Sequence, residues 1–376
     1  MLGGLLACGG PSTGPAGAPD SIVPGRIVVL QESDSLFVGR PFRFYLTSGG
    51  QHIVTDDGSA RILWFGSDGK LDFAVGRRGR GPGEFQAPGA VVVLDDSTVA
   101  IEERRSAALK ILRIPSGREL RSVYFPGAVA EDYTVTGDTV WFGVTAPRLG
   151  EGRGVFLGIG SLVRWILKDS AATVMWPGPG ADLLSGTTLS PLGFLASQVI
   201  AIRDSIIYSK FGTRDILEAR LRDGTLVTAW RVPRQWRRGI PEETIRFALD
   251  QKNWGDPQFG EDFWAQQRFS ADRRLGVLAN GWLVLATIDG WVTGKVLNGT
   301  VMVTVLDLER HRACVDRILP TNGVAWPKLT LRGDSVVTLT QELDQAERIR
   351  LVATYFPVMP ASCDWVPLEK APAPAM

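Results

Sequence analysis

The residue types that most often carry catalysis or hold a metal ion are scarce in this chain. It has 376 residues but only two histidines, His52 and His311. Neither belongs to an HxH or HExxH pattern, the spacings that bring two imidazoles to one metal ion. No nucleophile elbow, a GxSxG stretch between a strand and a helix, is recognisable. His311 falls in a predicted turn and His52 on a predicted strand, where a single histidine is more often structural than functional.

Three cysteines are present, and the first of them suggests lipidation. Leu5-Leu6-Ala7-Cys8 resembles the lipobox of bacterial lipoproteins, in which the cysteine is lipidated and becomes the N-terminus. The residues after it, up to position 24, are rich in Gly, Pro, Ser and Ala and predict a flexible tether. Only seven residues precede Cys8, so a full signal peptide requires further residues upstream. The alternative is a frayed N-terminus with an unrelated cysteine.

The other two cysteines, Cys314 and Cys363, both lie on predicted strands. In an oxidising compartment such a pair can form a disulfide. Bonding requires Cα atoms within about 7 Å of each other. The sequence leaves the bonded and the free state open.

The stretch from Asp72 to Ile101, DFAVGRRGRGPGEFQAPGAVVVLDDSTVAI, is rich in glycine and arginine and raises the question of a phosphate-binding loop. Gly76 and Gly81 have the P-loop gap, but Pro82 occupies the position that needs lysine. Gly79-x-Gly81 is followed by Glu84 where a dinucleotide fingerprint needs its last glycine. The chain has 41 basic and 40 acidic residues, and this balance argues against a nucleic-acid role for the arginines.

A second unusual stretch, at about 234–274, combines aromatic residues with arginines. Ile240-Pro241-Glu242-Glu243 is typical of a helix start, with proline and acids in the first turn. One interpretation is a flap with buried aromatics. The other is a cap over a ligand, in which guanidinium groups, including those of Arg273 and Arg274, would bind carboxylate or sugar-acid oxygens. The candidate cap residues are Trp236, Arg237, Arg238, Trp254 and Trp264.

A repeated pattern of two strands around a polar turn predicts the elements that position these residues. It occurs six times, for example in VVVLDDSTVAI at Asp96-Ser97 and in KLTLRGDSVVTLT at Asp334-Ser335. A second hairpin follows most copies, as in RILWFGSDGKLDFAVG, and RIRLVATYFPVMPASCDWV is the expected last one. Two hairpins make a four-stranded antiparallel sheet of roughly 50 residues, which is the size of a propeller blade.

The predicted fold is therefore all-β, a six-bladed β-propeller of four-stranded antiparallel blades. The propeller is expected over residues 25–367, with one partly helical insertion between blades 4 and 5 and a disordered tail at 368–376. Arg26–Leu30 is expected to close the ring beside Ile349–Phe356, unless Cys363–Val366 takes the outermost place. A two-domain β-sandwich is the alternative architecture.

The glycine-rich stretch also carries a family resemblance. Gly76-Arg77-Arg78-Gly79-Arg80-Gly81-Pro82-Gly83-Glu84-Phe85, with Pro88 after it, resembles the GxxGxGPGEF…P motif of bacterial six-bladed propeller lipoproteins, which are similar to NHL-type propellers. The resemblance implies this fold and export, and a structural role for the motif residues Gly76, Gly79, Gly81, Pro82, Gly83, Glu84 and Phe85. We expect Glu84 to pair with a nearby arginine or to accept backbone N–H bonds.

These observations predict a non-catalytic binding or scaffold module, a monomer anchored by lipid in the bacterial cell envelope, periplasmic or on the outer membrane. The expected partner is a protein, peptide or glycan of the envelope. We expect no nucleic acid, no membrane contact beyond the lipid anchor and no cofactor. The alternative is a metal-dependent envelope hydrolase or lyase of the propeller lactonase type. For that alternative, a carboxylate-only Ca²⁺ site in the channel stays open.

Overall fold

The computed structural model describes residues 21–31, 38–106, 108–125, 129–144, 161–176, 198–211, 215–235, 269–293, 296–321, 327–343, 349–360 and 362–372. Within these ranges the chain forms β-strands and no helix. The described residues accordingly include no helix long and apolar enough to cross a membrane. The predicted helical part of the insertion lies outside these ranges and stays a prediction.

The strands form six antiparallel sheets, and each sheet is one blade. The first strand, β1 (Arg26–Leu30), belongs to the last blade. Blade 1 has β2 (Pro41–Leu46), β3 (His52–Asp56), β4 (Arg61–Phe65) and β5 (Leu71–Val75). Blade 2 has β6 (Pro88–Asp95), β7 (Thr98–Glu103), β8 (Ala108–Arg113) and β9 (Arg118–Tyr124). Blade 3 has β10 (Val129–Thr136), β11 (Thr139–Val144), β12 (Ser161–Ile166) and β13 (Thr173–Trp176).

The remaining blades follow the same order. Blade 4 has β14 (Gln198–Arg203), β15 (Ile206–Phe211), β16 (Ile216–Leu221) and β17 (Leu226–Arg231). Blade 5 has β18 (Phe269–Val277), β19 (Leu283–Thr293), β20 (Val296–Asp307) and β21 (Arg312–Leu319). Blade 6 has β22 (Lys328–Arg332), β23 (Ser335–Leu343) and β24 (Ile349–Pro357), followed by β1. The predicted six-bladed propeller of four-stranded blades is confirmed.

The first strand of each blade lies at the centre of the ring. These inner strands are β2, β6, β10, β14, β18 and β22, and each contacts the inner strand of the next blade. The contact between β2 and β22 brings the last blade against the first. Every inner strand begins after the chain has crossed from the rim of the preceding blade, so the six inner strands start on the same face of the ring. We call this the upper face, and the side where they end the lower face.

Short polar side chains fix the tight turns between the strands. Asp95 Oδ1 accepts a hydrogen bond from the Ser97 backbone N–H at 2.7 Å. Asp223 and Asn280 accept in the same way from the N–H two residues further on, at 2.9 and 3.0 Å. Such bonds imitate a backbone turn and offset the loss of strand pairing at the hairpin tip. In blade 2 the bonding residue is Asp95, the neighbour of the predicted Asp96, and Asp334 accepts instead from the Ala279 N–H of blade 5 at 2.8 Å.

Large aromatic side chains fill the space between blades. Trp64, Trp141 and Trp165 are each at most 2% exposed, and so are Phe44 and Phe65. A four-stranded blade has two apolar faces, and stacking on its neighbours removes both from water. Each fully buried large side chain contributes roughly 1.5–3 kcal/mol through burial. Closing the ring is therefore the main source of stability for blades that could not fold alone.

The ring closes as predicted, with β1 as the outermost strand of blade 6. Arg26 pairs with Tyr355 and Leu30 with Leu351, in an antiparallel register without a shift. The alternative, closure by Cys363–Val366, is wrong, and the expected last hairpin does not form. Instead β25 (Val366–Pro367) pairs with β21 of blade 5, and β26 (Glu369–Lys370) pairs with β17 of blade 4.

Three predicted boundaries need correction. The chain stays packed on the propeller beyond residue 367, because Leu368 is 3% exposed between the two short edge pairings. The tether ends before Ile22, which is 3% exposed and whose N–H donates to the Ile318 carbonyl at 2.8 Å. The insertion does not reach residue 274, because β18 begins at Phe269. Three consecutive charged residues in β18 hid its strand pattern.

Candidate functional site: the upper face of the channel

Irregular pairing of the inner strands is concentrated at the upper face. Four of the six inner strands shift register against their neighbours. The shifts at residues 41–43, 88–91 and 129–133 lie close to the first residues of β2, β6 and β10, whereas the shift at 272–274 lies in the middle of β18 and a second shift of β6, at 93–95, lies near its lower end. A bulge turns side chains away from the regular alternation, and bulges are enriched at barrel rims and beside functional sites. The third and fourth strands of blades 1–5 are also shifted against each other, so the upper face is distinguished by its three inner-strand bulges.

Side chains from alternate blades meet across the centre of the ring. The rings of Tyr45 from blade 1 and Tyr133 from blade 3 are 5.5 Å apart between centroids. The guanidinium of Arg274, from blade 5, lies 5.5 Å from the centroid of the Tyr45 ring. Its Nε donates to the Leu329 carbonyl of blade 6 at 2.9 Å. These contacts fill the centre, so a ligand on the upper face would rest on this layer.

Above this layer, two arginines share one aromatic ring at the junction of blades 1 and 2. The guanidinium carbon of Arg104 lies 3.8 Å from the centroid of the Phe42 ring, and that of Arg43 lies 4.7 Å from it. Arg104 also forms an ion pair with Asp57 at 2.7 Å. Burial lowers the pKa of Arg104, and the nearby carboxylates of Asp57 and Glu102 oppose that change. Arginine stays protonated under such conditions, so both guanidinium groups are positively charged.

Buried carboxylates at the ends of second strands hold the chain that leads into the inner strands. Asp56 ends β3 and accepts backbone N–H bonds from Gly39, Arg40 and Gly58 at 2.7–3.2 Å. Burial alone would raise the pKa of Asp56, but the hydrogen bonds from Ser59 and from these N–H groups bring it below its ordinary value.

Glu103 ends β7 and plays the equivalent part in blade 2. It accepts from the N–H groups of Gln86, Ala87 and Arg105, at 2.6, 3.2 and 3.1 Å. The two carboxylates neutralise backbone dipoles rather than facing solvent, since Asp56 is 0% and Glu103 4% exposed. The local positions of both chain crossings therefore depend on them.

Glu102, next along β7, supports the bulge in β6. Its Oε2 accepts from the Ala90 N–H at 2.9 Å. A Cβ atom placed on Gly89 would lie 2.1 Å from the same oxygen. Only glycine fits against the carboxylate at this position, so the bulge and the buried acid depend on each other.

The glycine-rich motif forms the crossing from β5 to β6, on the same face. Glu84 Oε1 accepts from Arg77 Nε at 2.8 Å, and Oε2 accepts from the Gly81 N–H at 2.9 Å. These are the two kinds of contact expected of Glu84, and they lower its pKa, the bond from Gly81 most strongly. Lys110 Nζ donates to the carbonyls of Gly81 and Glu84 at 3.1 and 2.7 Å. The loop is thus bonded to itself and to β8.

Glycine is required within this crossing. Gly76 and Gly83 have φ angles of 86° and 70°, a region that favours glycine. A Cβ on Gly79 would lie 2.0 Å from Glu84 Oε2. Phe85 is fully buried between blades. The glycine-rich motif therefore determines the shape of the crossing.

His52 lies in the seam between blades 1 and 6. It is fully buried, and its Nδ1 is 3.0 Å from the Gly66 carbonyl and its Nε2 is 2.8 Å from Tyr355 Oη. These partners indicate that Nδ1 carries the proton and that Nε2 accepts from the tyrosine. Burial lowers the pKa of His52. His311 is exposed in the turn after β20 and takes no part in the site.

A buried ion pair joins blades 4 and 5 beside the channel. Lys210 of β15 binds Asp272 of β18, and each side chain is 2% exposed. Thr287 Oγ1 donates to the other oxygen of Asp272 at 2.8 Å. A buried charge requires such partners, and this pair fixes the inner strand just before its bulge. Neither residue was singled out in the sequence.

The predicted position of Arg273 and Arg274 is wrong, because both were assigned to the insertion from the sequence. Both are 5% exposed and lie on the inner strand β18, within its bulge. Arg274 reaches the central layer rather than a cap. Of the other proposed site residues, Cys8 and the five cap residues Trp236, Arg237, Arg238, Trp254 and Trp264 lie outside the described residues. The residue before them, Gln235, donates its N–H to Asp316 of blade 5 at 2.7 Å.

Cys314 and Cys363 are joined in a disulfide, with their Cα atoms 5.9 Å apart. The bond ties the chain after blade 6 to the outer strand of blade 5. Trp365 packs against Trp282 with ring centroids 5.2 Å apart, and the Arg312 guanidinium lies 4.2 Å from the centroid of Trp365. Among the described residues, no group of three or more His, Cys, Asp or Glu side chains is arranged to hold a metal ion.

Sequence reasoning missed Phe42, Arg43, Tyr45, Arg104 and Tyr133. Strand composition could have indicated some of them, because an inner strand that serves only to pack against its neighbours should be rich in small or β-branched residues. PFRFYL in β2 instead has three aromatic residues and an arginine, and SADRRL in β18 has three consecutive charged residues. Which of these side chains meet depends on the ring geometry, which the sequence alone does not supply.

Comparisons with known proteins show a shared fold. No family model matches the chain, and no curated protein matches it. A solved structure of a DUF4221 family member from Bacteroides vulgatus is similar, with a TM-score of 0.56 at 9% identity over 90% of this chain and 98% of that one. A candidate exported protein from Bacteroides fragilis gives 0.55 at 12% identity, over 90% and 98% of the two chains. Regucalcin, a calcium-binding protein from Agrobacterium tumefaciens, gives 0.45 at 11% identity over 90% and 96%.

Proposed function

We propose that this protein is an exported, lipid-anchored β-propeller that binds an envelope ligand through its upper face and carries out no catalysis itself. The observation that carries this proposal is the set of register shifts in four of the six inner strands, three of which lie at the strand starts on the upper face. They set aromatic and arginine side chains above the layer of Tyr45, Tyr133 and Arg274. A rigid scaffold with irregular, polar positions on one face is typical of a binding module.

Export and lipidation are supported by three observations. Leu5-Leu6-Ala7-Cys8 resembles a lipobox, and the glycine-rich motif resembles that of propeller lipoproteins. The bond between Cys314 and Cys363 suits an oxidising compartment. One similar structure is a candidate exported protein. With an upstream signal sequence in a bacterial host, we expect palmitate labelling that Cys8→Ser abolishes, and no free thiol at Cys314 or Cys363 before reduction.

The binding face can be tested by hydrogen–deuterium exchange during a screen of envelope glycans and peptides. We expect a ligand to protect residues 40–43, 77–87 and 104–106 on the upper face. The matched control is the pair of lower-face turns at 47–51 and 95–97, which should exchange unchanged. Protection confined to those turns or to the outer strands would overturn the proposal. Stoichiometric, tightly bound calcium or zinc in the purified protein would favour the metal-dependent hydrolase or lyase instead.

A further inference from the structure

We propose that the upper face at the junction of blades 1 and 2 binds an acidic polysaccharide through its carboxylate groups. The proposal rests on the binding function above and names the class of its ligand. The surface, here called the arginine face, consists of segments 38–43, 56–61, 76–88 and 103–106. Its exposed cations are Arg40, Arg77, Arg78, Arg80 and Arg105.

The arginine face holds a local excess of positive charge that the chain as a whole lacks. Its four segments contain eight arginines and four acidic residues, an excess of four positive charges. The whole chain has a net charge of only +1. The rest of the molecule is therefore slightly acidic, and the charge is concentrated at one place. A concentrated field of this kind attracts anions to that place and not to the surface generally.

In the arginine face the carboxylates are mostly buried, whereas the guanidinium groups are mostly exposed. Asp56 and Glu103 are buried and bound to backbone N–H groups. The Asp57 side chain is 13% exposed and the Glu84 side chain 22%, whereas those of Arg40 and Arg77 are 75% exposed. Solvent therefore meets guanidinium groups, with the carboxylates beneath them. A ligand approaching from solvent would meet positive charge first.

The guanidinium groups converge on a short, well-bonded turn. Arg40 and Arg104 both pair with the Asp57 carboxylate. Arg78 donates to the Gly58 carbonyl at 2.8 Å. Two cations thus share one carboxylate, and a third is bound to the backbone of the same turn, so the single carboxylate cannot neutralise all three. The glycine-rich crossing that presents Arg78 and Arg80 is itself fixed by Glu84 and Lys110, so little order has to be imposed on binding.

The distribution of charged and apolar side chains on the arginine face favours an extended acidic polysaccharide as the ligand. Its exposed charges are spread over three loops, so several anionic groups are needed to engage them. All of them are arginines, whose planar fork matches a carboxylate in two hydrogen bonds. None of the exposed large apolar side chains of the described residues lies in these segments. A lipid bilayer or an acidic peptide would be expected to use such apolar anchors, whereas a uronic-acid polymer needs none.

The experiment measures binding of polygalacturonate to the full chain, with the fully methyl-esterified polymer as the neutral probe. The variant is Arg80→Gln/Arg105→Gln, because within the described residues neither side chain forms an ion pair. The control is Arg222→Gln/Arg310→Gln, which changes the net charge equally at exposed turns of blades 4 and 5. Unchanged melting temperatures in both variants establish that the fold is intact.

We expect polygalacturonate to bind, the neutral polymer to bind at least about tenfold more weakly, and the affinity to fall with salt. The Arg80/Arg105 variant should bind about tenfold more weakly, and the Arg222/Arg310 control should match the parent. Equal binding of both polymers, or an equal loss in both variants, would overturn the proposal. So would tighter binding to phosphatidylglycerol vesicles, polyglutamate or duplex DNA. A neutral glycan that protects the upper face, with no binding of polygalacturonate, would overturn this inference and leave the proposed function standing.

Discussion

His52 and Tyr355 are 303 residues apart in the chain and form a buried hydrogen bond of 2.8 Å between the imidazole and the phenol. His52 lies on β3 of blade 1 and Tyr355 on β24 of blade 6, so the bond crosses the seam where the ring closes. Arg26, the first residue of the closing strand, lies with its guanidinium 5.3 Å from the centroid of the Tyr355 ring. The bond is thus one of the polar contacts that link the first blade to the last, and it lies beside the Arg26 guanidinium.

Removing one partner of this bond should cost more than removing both. Tyr355→Phe leaves the buried His52 Nε2 without a donor, which we expect to destabilise the protein by about 1–3 kcal/mol. The double variant His52→Leu/Tyr355→Phe removes both polar groups, so its cost should be smaller than the sum of the two single costs. Urea denaturation of the four proteins measures the coupling. Additive costs would mean that the two side chains do not interact.

The same histidine should make stability depend on pH. Burial lowers the pKa of His52 in the folded protein below its ordinary value of 6.5. The unfolded chain therefore takes up the proton first as the pH falls, and folding stability is lost from about pH 6.5 downwards. Above that pH the contribution of His52 is complete. We expect His52→Leu to flatten the stability profile between pH 7 and pH 5, whereas His311→Gln, in an exposed turn, should keep the slope. A parent protein without this slope would contradict the placement of His52.

Much of the fold could be predicted from the sequence because its signals are local. Strand alternation and turns such as Asp95–Ser97 recur at blade spacing, and β1 has no partner within its own stretch of chain. The central site was harder, because its contacts join distant strands. Tyr45, Tyr133 and Arg274 meet only through the ring, and a pattern-based reading assigned Arg274 to the insertion.

The ends of the propeller show the same limit. Leu368 and the two short strands around it cover the edges of blades 4 and 5, although their composition resembles a disordered tail. Edge strands offer unpaired N–H and C=O groups, and any nearby extended chain can pair with them. The local sequence of the tail does not indicate which blade edge it will lie beside.

The buried pair of Lys210 and Asp272 should be intolerant of single substitutions. Asp272→Asn leaves the lysine charge without its partner between blades 4 and 5, which we expect to cost about 3–5 kcal/mol. Replacing both residues, as Lys210→Met/Asp272→Leu, removes the charges together and should recover much of that loss. The comparison is Arg350→Gln, which breaks the more exposed pair with Glu342 (3.4 Å) and should cost at most about 1 kcal/mol. Thermal and urea unfolding give the values. A single variant as stable as the parent would show that the pair is not held in a dry seam.

The closing strand gives the last prediction. Val28 and Leu30 of β1 are 6% and 2% exposed in the core between blades 6 and 1. The Gln31 N–H also donates to the Gly69 carbonyl of blade 1 at 2.7 Å, so the segment holds both sides of the seam. Removing it exposes the edge of β24, the apolar face beneath it and part of the neighbouring blade. The ring should then open or unfold.

Two truncations separate this effect from a general loss of the N-terminus. Deleting residues 1–24 removes Ile22 but keeps β1, and should cost only about 1.5–3 kcal/mol for that one buried side chain. Deleting residues 1–31 should lower the melting temperature far more and make blade 6 sensitive to protease. A synthetic peptide of residues 21–32, added in excess, should restore protection because it supplies the missing strand. Equal melting temperatures for the two truncations, or a peptide with Val28 and Leu30 replaced by serine that rescues as well as the native one, would contradict closure by β1.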